Sequence, residues 1–69
     1  MDWDEVDEIA GALDAKHAEV KDPFDVPFPK LMEMIRALEG FTGEVEPGRN
    51  YEKHLEAVQL KWAELRELV

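Results

Sequence analysis

Apolar residues at steps of three and four open the chain. Val6, Ile9, Ala10 and Leu13 alternate with acids in that rhythm, which predicts an amphipathic helix over about 4 to 18, with His17 at the end of its stripe. Asp2 and Asp4 are candidate N-caps, and Asp4, Glu5, Asp7 and Glu8 suit the positive end of the helix dipole. Leu31, Met34, Ile35 and Leu38 repeat the rhythm and predict a second helix over 29 to 39, ended by Gly40. Leu55, Val58, Trp62, Leu65 and Val69 then predict the longest helix, over 50 to 67, with Asn50 as its cap.

The segments between read as connectors. In "HAEVKDPFDVPFP", Pro23 and Pro27 cannot occupy a helix interior and bias Asp22 and Val26 toward extended backbone. A stiff connector is expected there, with room for one short strand at 26 to 28, before Pro29 enters the first turn of the second helix. "GFTGEVEPGRN" is a polar loop whose Phe41 returns to the core. The pattern predicts an all-α domain of three helices spanning 1 to 69, with at most very short strands in the connectors.

Composition narrows the chemistry. A chain of 69 residues has a small core, and without cysteine it has no disulfide, thiolate metal site or thiol nucleophile to add to packing. Seventeen Asp and Glu against eight Lys and Arg give a net charge of −9, which disfavours nucleic acid and favours basic protein surfaces or hard cations. The same charge also serves solubility alone. The acidic start "MDWDEVDEIAG" is unlike a signal peptide and no apolar run nears the roughly 20 residues of a membrane span, so a soluble, cytoplasmic protein is expected.

No catalytic constellation stands out. His17 and His54 fall on different helices without a metal-binding spacing, serine is absent, and Thr42 sits alone in a loop, so no enzyme is expected. Trp62 lies in an apolar stripe and reads as core, whereas Trp3 leads into the first helix and is open to either role. The remaining candidate is acidic. Asp4, Asp7, Glu8 and Asp14 recur at helical spacing along one outward face, with Glu5 beside it. Such a face binds a hard divalent ion weakly, docks on an Arg/Lys surface, or is simply solvated.

Four segments together carry a resemblance: "WDEVDEIAGAL", "DPFDVPF", "LMEMIRALEGF" and "NYEKHLEAVQLKWAE". Trp3, Glu5, Ile9, Leu13, Asp22, Pro23, Val26, Phe28, Leu38, Glu39, Phe41, Leu55, Glu56, Ala57 and Trp62 stand in an order and spacing that resembles the IscX family, small acidic proteins of iron–sulfur cluster assembly. The resemblance implies a winged-helix-like arrangement of three helices. It also implies a monomeric adaptor that binds the cysteine desulfurase of that system and competes there with frataxin-like and ferredoxin partners. The docking residues would be Asp4, Glu5, Asp7, Glu8, Asp22 and Glu39, and Asp4, Glu5, Asp7 and Glu8 would hold ferrous iron weakly, with no tightly bound cofactor. An iron carrier to cluster assembly, or an acidic domain for an unrelated basic partner, are the alternatives.

Overall fold

A computed structural model describes residues 1–69 and contains three α-helices in the expected order: α1 (Val6–Lys16), α2 (Phe28–Arg36) and α3 (Glu52–Leu65). Each helix is shorter than the periodicity suggested, because an apolar stripe runs on into turns that hold the same face to the core. Leu38, past the end of α2, is still buried in a turn where its N–H bonds to the Ile35 carbonyl at 3.1 Å. α1 begins at Val6 with Glu5 as its cap residue and no side-chain cap, so neither Asp2 nor Asp4 caps it. Asp2 Oδ1 accepts from Trp3 N instead, at 2.6 Å. Asn50 does accept from Glu52 N at 2.7 Å, one residue before the cap position of α3.

α1 packs chiefly on α3. Ile9, Ala10 and Leu13 meet Leu55, Val58 and Trp62 in one cluster, and Leu31 and Ile35 of α2 complete it. All three helices therefore contribute to one core and none is stable alone. Leu65 and Val69, expected inward, are exposed; the stripe of α3 is covered only as far as Ala63.

No strand forms at 26 to 28. Val26 and Pro27 are extended, as proline demands, but no second strand pairs with them and Phe28 already belongs to α2. The prolines shape a 3-10 turn at Pro23–Asp25, where Asp22 Oδ1 accepts from Phe24 N at 3.0 Å. Gln59 of α3 then donates to Pro23 O at 3.2 Å and Val26 O at 3.0 Å. One buried amide thus fixes both ends of a connector whose own backbone offers few donors.

Candidate functional site

The acids at the start of α1 stand between two buried anchors, Trp3 and Ile9. Trp3 is held from several sides. Its Nε1 donates to Glu44 O at 3.0 Å, and its ring lies 5.1 Å from Phe41, 4.9 Å from Tyr51 and 5.8 Å from His54 between centroids. Tyr51 Oη donates to the same Glu44 carbonyl at 3.1 Å and accepts from Glu46 N at 2.8 Å. The loop after α2 is therefore tied through its backbone to Trp3 and Tyr51, leaving the Glu44 and Glu46 side chains in solvent. Gly43 allows this approach: a Cβ there would fall 2.5 Å from Phe41 Cζ and 2.9 Å from Trp3 Cδ1.

With Trp3 fixed, Glu5 N closes a turn on Asp2 O at 3.0 Å and Ile9 N bonds to Glu5 O at 3.0 Å. Asp4, Glu5, Asp7 and Glu8 consequently project from ordered backbone, all exposed, and with Val6 they line one shallow depression. Asp7 alone among them has an ion-pair partner, Lys61 of α3, at 3.9 Å. Four carboxylates in one turn and a half, three of them unpaired, concentrate the negative field of the molecule at this end.

The other expected residues divide. Glu39 is exposed in the turn after α2, where the neighbouring Gly40 carbonyl accepts from the Met1 amino group at 2.6 Å, so its backbone lies by the start of the chain and outside the depression the α1 acids line. Asp22 caps the 3-10 turn and lies in a different part of the fold, beside the connector that Gln59 holds. Asp14, read from spacing as part of the free acidic face, is half-buried and bonded to Arg66 Nε, so it belongs to the packing of α1 on α3. Gln59 and Arg66 were missed by periodicity. The signal for both was the run of carbonyls around the prolines and the α1 terminus, which must find donors somewhere.

The histidines do not meet. His17 Nδ1 lies 3.3 Å from Glu19 Oε2 at the end of α1, whereas His54 packs beside Trp3 and Tyr51. No three His, Asp or Glu side chains converge to hold a metal ion, and no helix is long and apolar enough to cross a membrane. Glu19 has its carboxyl pulled below its ordinary value of 4.5, first by its own backbone N–H and then by His17.

A family model described as iron-sulphur cluster assembly matches residues 1–67. No curated protein and no solved structure matches the chain.

Proposed function

The chain belongs to the iron-sulphur cluster assembly family, and from that premise we propose that it is a non-catalytic adaptor of the assembly machinery that docks through the first turns of α1 on a basic surface of the cysteine desulfurase, as the IscX resemblance implies. The observation that carries the reading is the unpaired state of Asp4, Glu5 and Glu8 on backbone anchored by Trp3 and Ile9. Holding like charges together is unfavourable in the free protein, and a basic partner relieves it. Asp7 exchanges its long contact with Lys61 for a closer one at little cost, since an exposed pair at 3.9 Å contributes little to stability. Frataxin-like and ferredoxin partners, being acidic competitors in this reading, would be displaced from the same surface. Titrating unlabelled desulfurase into the isotopically labelled chain tests the assignment. Amides of residues 4 to 8 should broaden first, and a footprint confined to Asp22 and the connector would contradict it.

A second reading, weak carriage of ferrous iron, is supported by the same depression lined with carboxylates. Because no three ligands converge, water would fill most of the coordination sphere and leave little chelate advantage. Adding Fe²⁺ to the free chain should then shift the amides of Asp4, Glu5, Asp7 and Glu8 in fast exchange. Tight binding that depends on His17 or His54 would point to another site.

A further inference from the structure

Exposed carboxylates set encounter rate and specificity more than residence, so the docking surface just described lacks an anchor. Protein interfaces are held by a few apolar side chains that a polar rim encloses. The seam between α1 and α3 offers such a place. Lys61 Nζ stands 3.9 Å from Asp7, and Arg66 bonds to Asp14, so two ion pairs cross from one helix to the other. Between them in the chain lie Gly11 on α1 and Leu65 on α3.

Neither residue is explained by the fold. Glycine weakens a helix interior, and Gly11 has no positive φ and nothing within 4 Å of where its Cβ would be, so neither backbone shape nor close packing requires it. Leu65 continues the apolar rhythm of α3 yet is 45% exposed, and Leu68 just beyond is 50% exposed. Glu67, between the two leucines in the chain, has φ 60, a conformation suited to glycine, and places an acid at a helix C-terminus where the dipole disfavours it. Three breaches of local preference, on two helices that the Asp7–Lys61 and Asp14–Arg66 pairs join, mark a surface kept for something other than stability.

We infer that Gly11, Leu65 and Leu68 form the apolar anchor of the acidic docking surface, and that its occupant is an apolar side chain set among Lys or Arg groups on the same protein partner. This rests on the docking reading above. Charge selects the occupant: a net −9, with unpaired acids on the adjoining turn, repels a second copy, nucleic acid or an anionic membrane and attracts a basic rim. Bare backbone at Gly11 admits the incoming group closely, Leu65 and Leu68 supply its apolar contact, and Glu8 and Asp7 meet the rim.

The test is titration of isolated cysteine desulfurase with the parent chain, Gly11→Gln, Leu65→Ser with Leu68→Ser, and Leu60→Ser. Leu60 is the control, 47% exposed on the same helix but about 140° around it from Leu65. Gly11→Gln puts a better helix former into open space, so a loss of binding there is not a loss of fold. Both seam variants should bind about tenfold or more weakly, through faster dissociation and with the salt dependence of the parent, while Leu60→Ser stays within about twofold. If the parent binds and both seam variants bind as well as it does, the anchor lies elsewhere and the docking reading stands. Equal losses in Leu60→Ser would also overturn the anchor. Should the parent fail to bind the desulfurase at all, the docking reading and the anchor fall together.

Discussion

Arg66, the residue after the last turn of α3, bonds through Nε to Asp14 of α1, 52 positions earlier in the chain. Its Nη1 donates to Val20 O and its Nη2 to His17 O at 3.0 Å, while the guanidinium lies 5.7 Å from the Trp62 ring centroid. One side chain thereby supplies donors to carbonyls of the segment that follows α1, and fastens that segment and the last turn of α1 to the end of α3.

Arg66→Gln should therefore destabilise the fold by about 2 to 3 kcal/mol, since it removes charge-assisted bonds to Asp14, His17 O and Val20 O, although His17 O keeps its bond from Val20 N at 3.0 Å. Asp14→Asn keeps an acceptor and should cost less. Urea unfolding of the two single variants and the double variant measures this, and additive losses would show that Arg66 and Asp14 act separately.

Two glycines predict opposite signs. Gly11→Ala should stabilise by about 0.5 to 1 kcal/mol, because the methyl enters open space in a helix interior. Gly43→Ala should destabilise, because its Cβ would stand 2.5 Å from Phe41 and 2.9 Å from Trp3 and force one ring away from the loop. Paired thermal melts read both, and the Gly43 variant should also change tryptophan fluorescence.

Much of this was legible in the amino-acid pattern, and the exceptions have particular causes. The stripes of Ile9, Leu13, Leu31, Ile35, Val58 and Trp62 gave three helices and their inner faces correctly. Periodicity says which side of a helix is apolar and nothing about how far a neighbour covers it, so Leu65 and Val69 were expected inside and lie outside. The extended backbone at Val26 and Pro27 was also legible, but a strand needs a partner and none is near. Asp14 had the spacing of the free acids; its partner Arg66 is too distant in the chain for any helical rule to connect them. Asp4, Glu5, Asp7 and Glu8 were placed correctly on an exposed turn, whereas the anchoring of that turn by Trp3 on the Glu44 carbonyl depends on a tertiary contact.

α3 ends with Leu68 N bonded to Ala63 O at 2.9 Å and Glu67 N to Glu64 O at 3.0 Å, a turn that takes glycine readily. Glu67 holds the required φ of 60 at a steric cost. Glu67→Gly should raise stability by roughly 0.5 to 1 kcal/mol in denaturant melts, and an unchanged midpoint would mean that the turn is not populated in solution.

Glu19 carries the one pH effect tied to a defined contact. Its own backbone N–H, and then His17 Nδ1 at 3.3 Å, favour the ionised carboxylate, so its folded value lies below 4.5. A depressed folded value means that the contribution is present above the ordinary carboxylate value and is lost as pH falls through the folded one. An NMR titration of the Glu19 side chain should give a midpoint below 4.5, which His17→Gln raises only in part because the backbone bond remains.

Docking of the first turns of α1 on a basic surface of the cysteine desulfurase, as proposed, is open to direct measurement. Affinity for that enzyme should be measured across ionic strength for the parent, for Asp4→Lys with Glu8→Lys, and for Glu44→Lys with Glu46→Lys. All four positions are exposed, so circular dichroism should show each pair of reversals folded. Each pair changes the net charge equally, from −9 to −5, since two residues go from −1 to +1. Parent binding should weaken steeply with salt, with a loss on the order of 1 to 3 kcal/mol for the α1 pair and a smaller loss for the loop pair through net charge alone. Intact, salt-independent binding by the α1 pair, with binding abolished in the loop pair, would contradict the proposed docking.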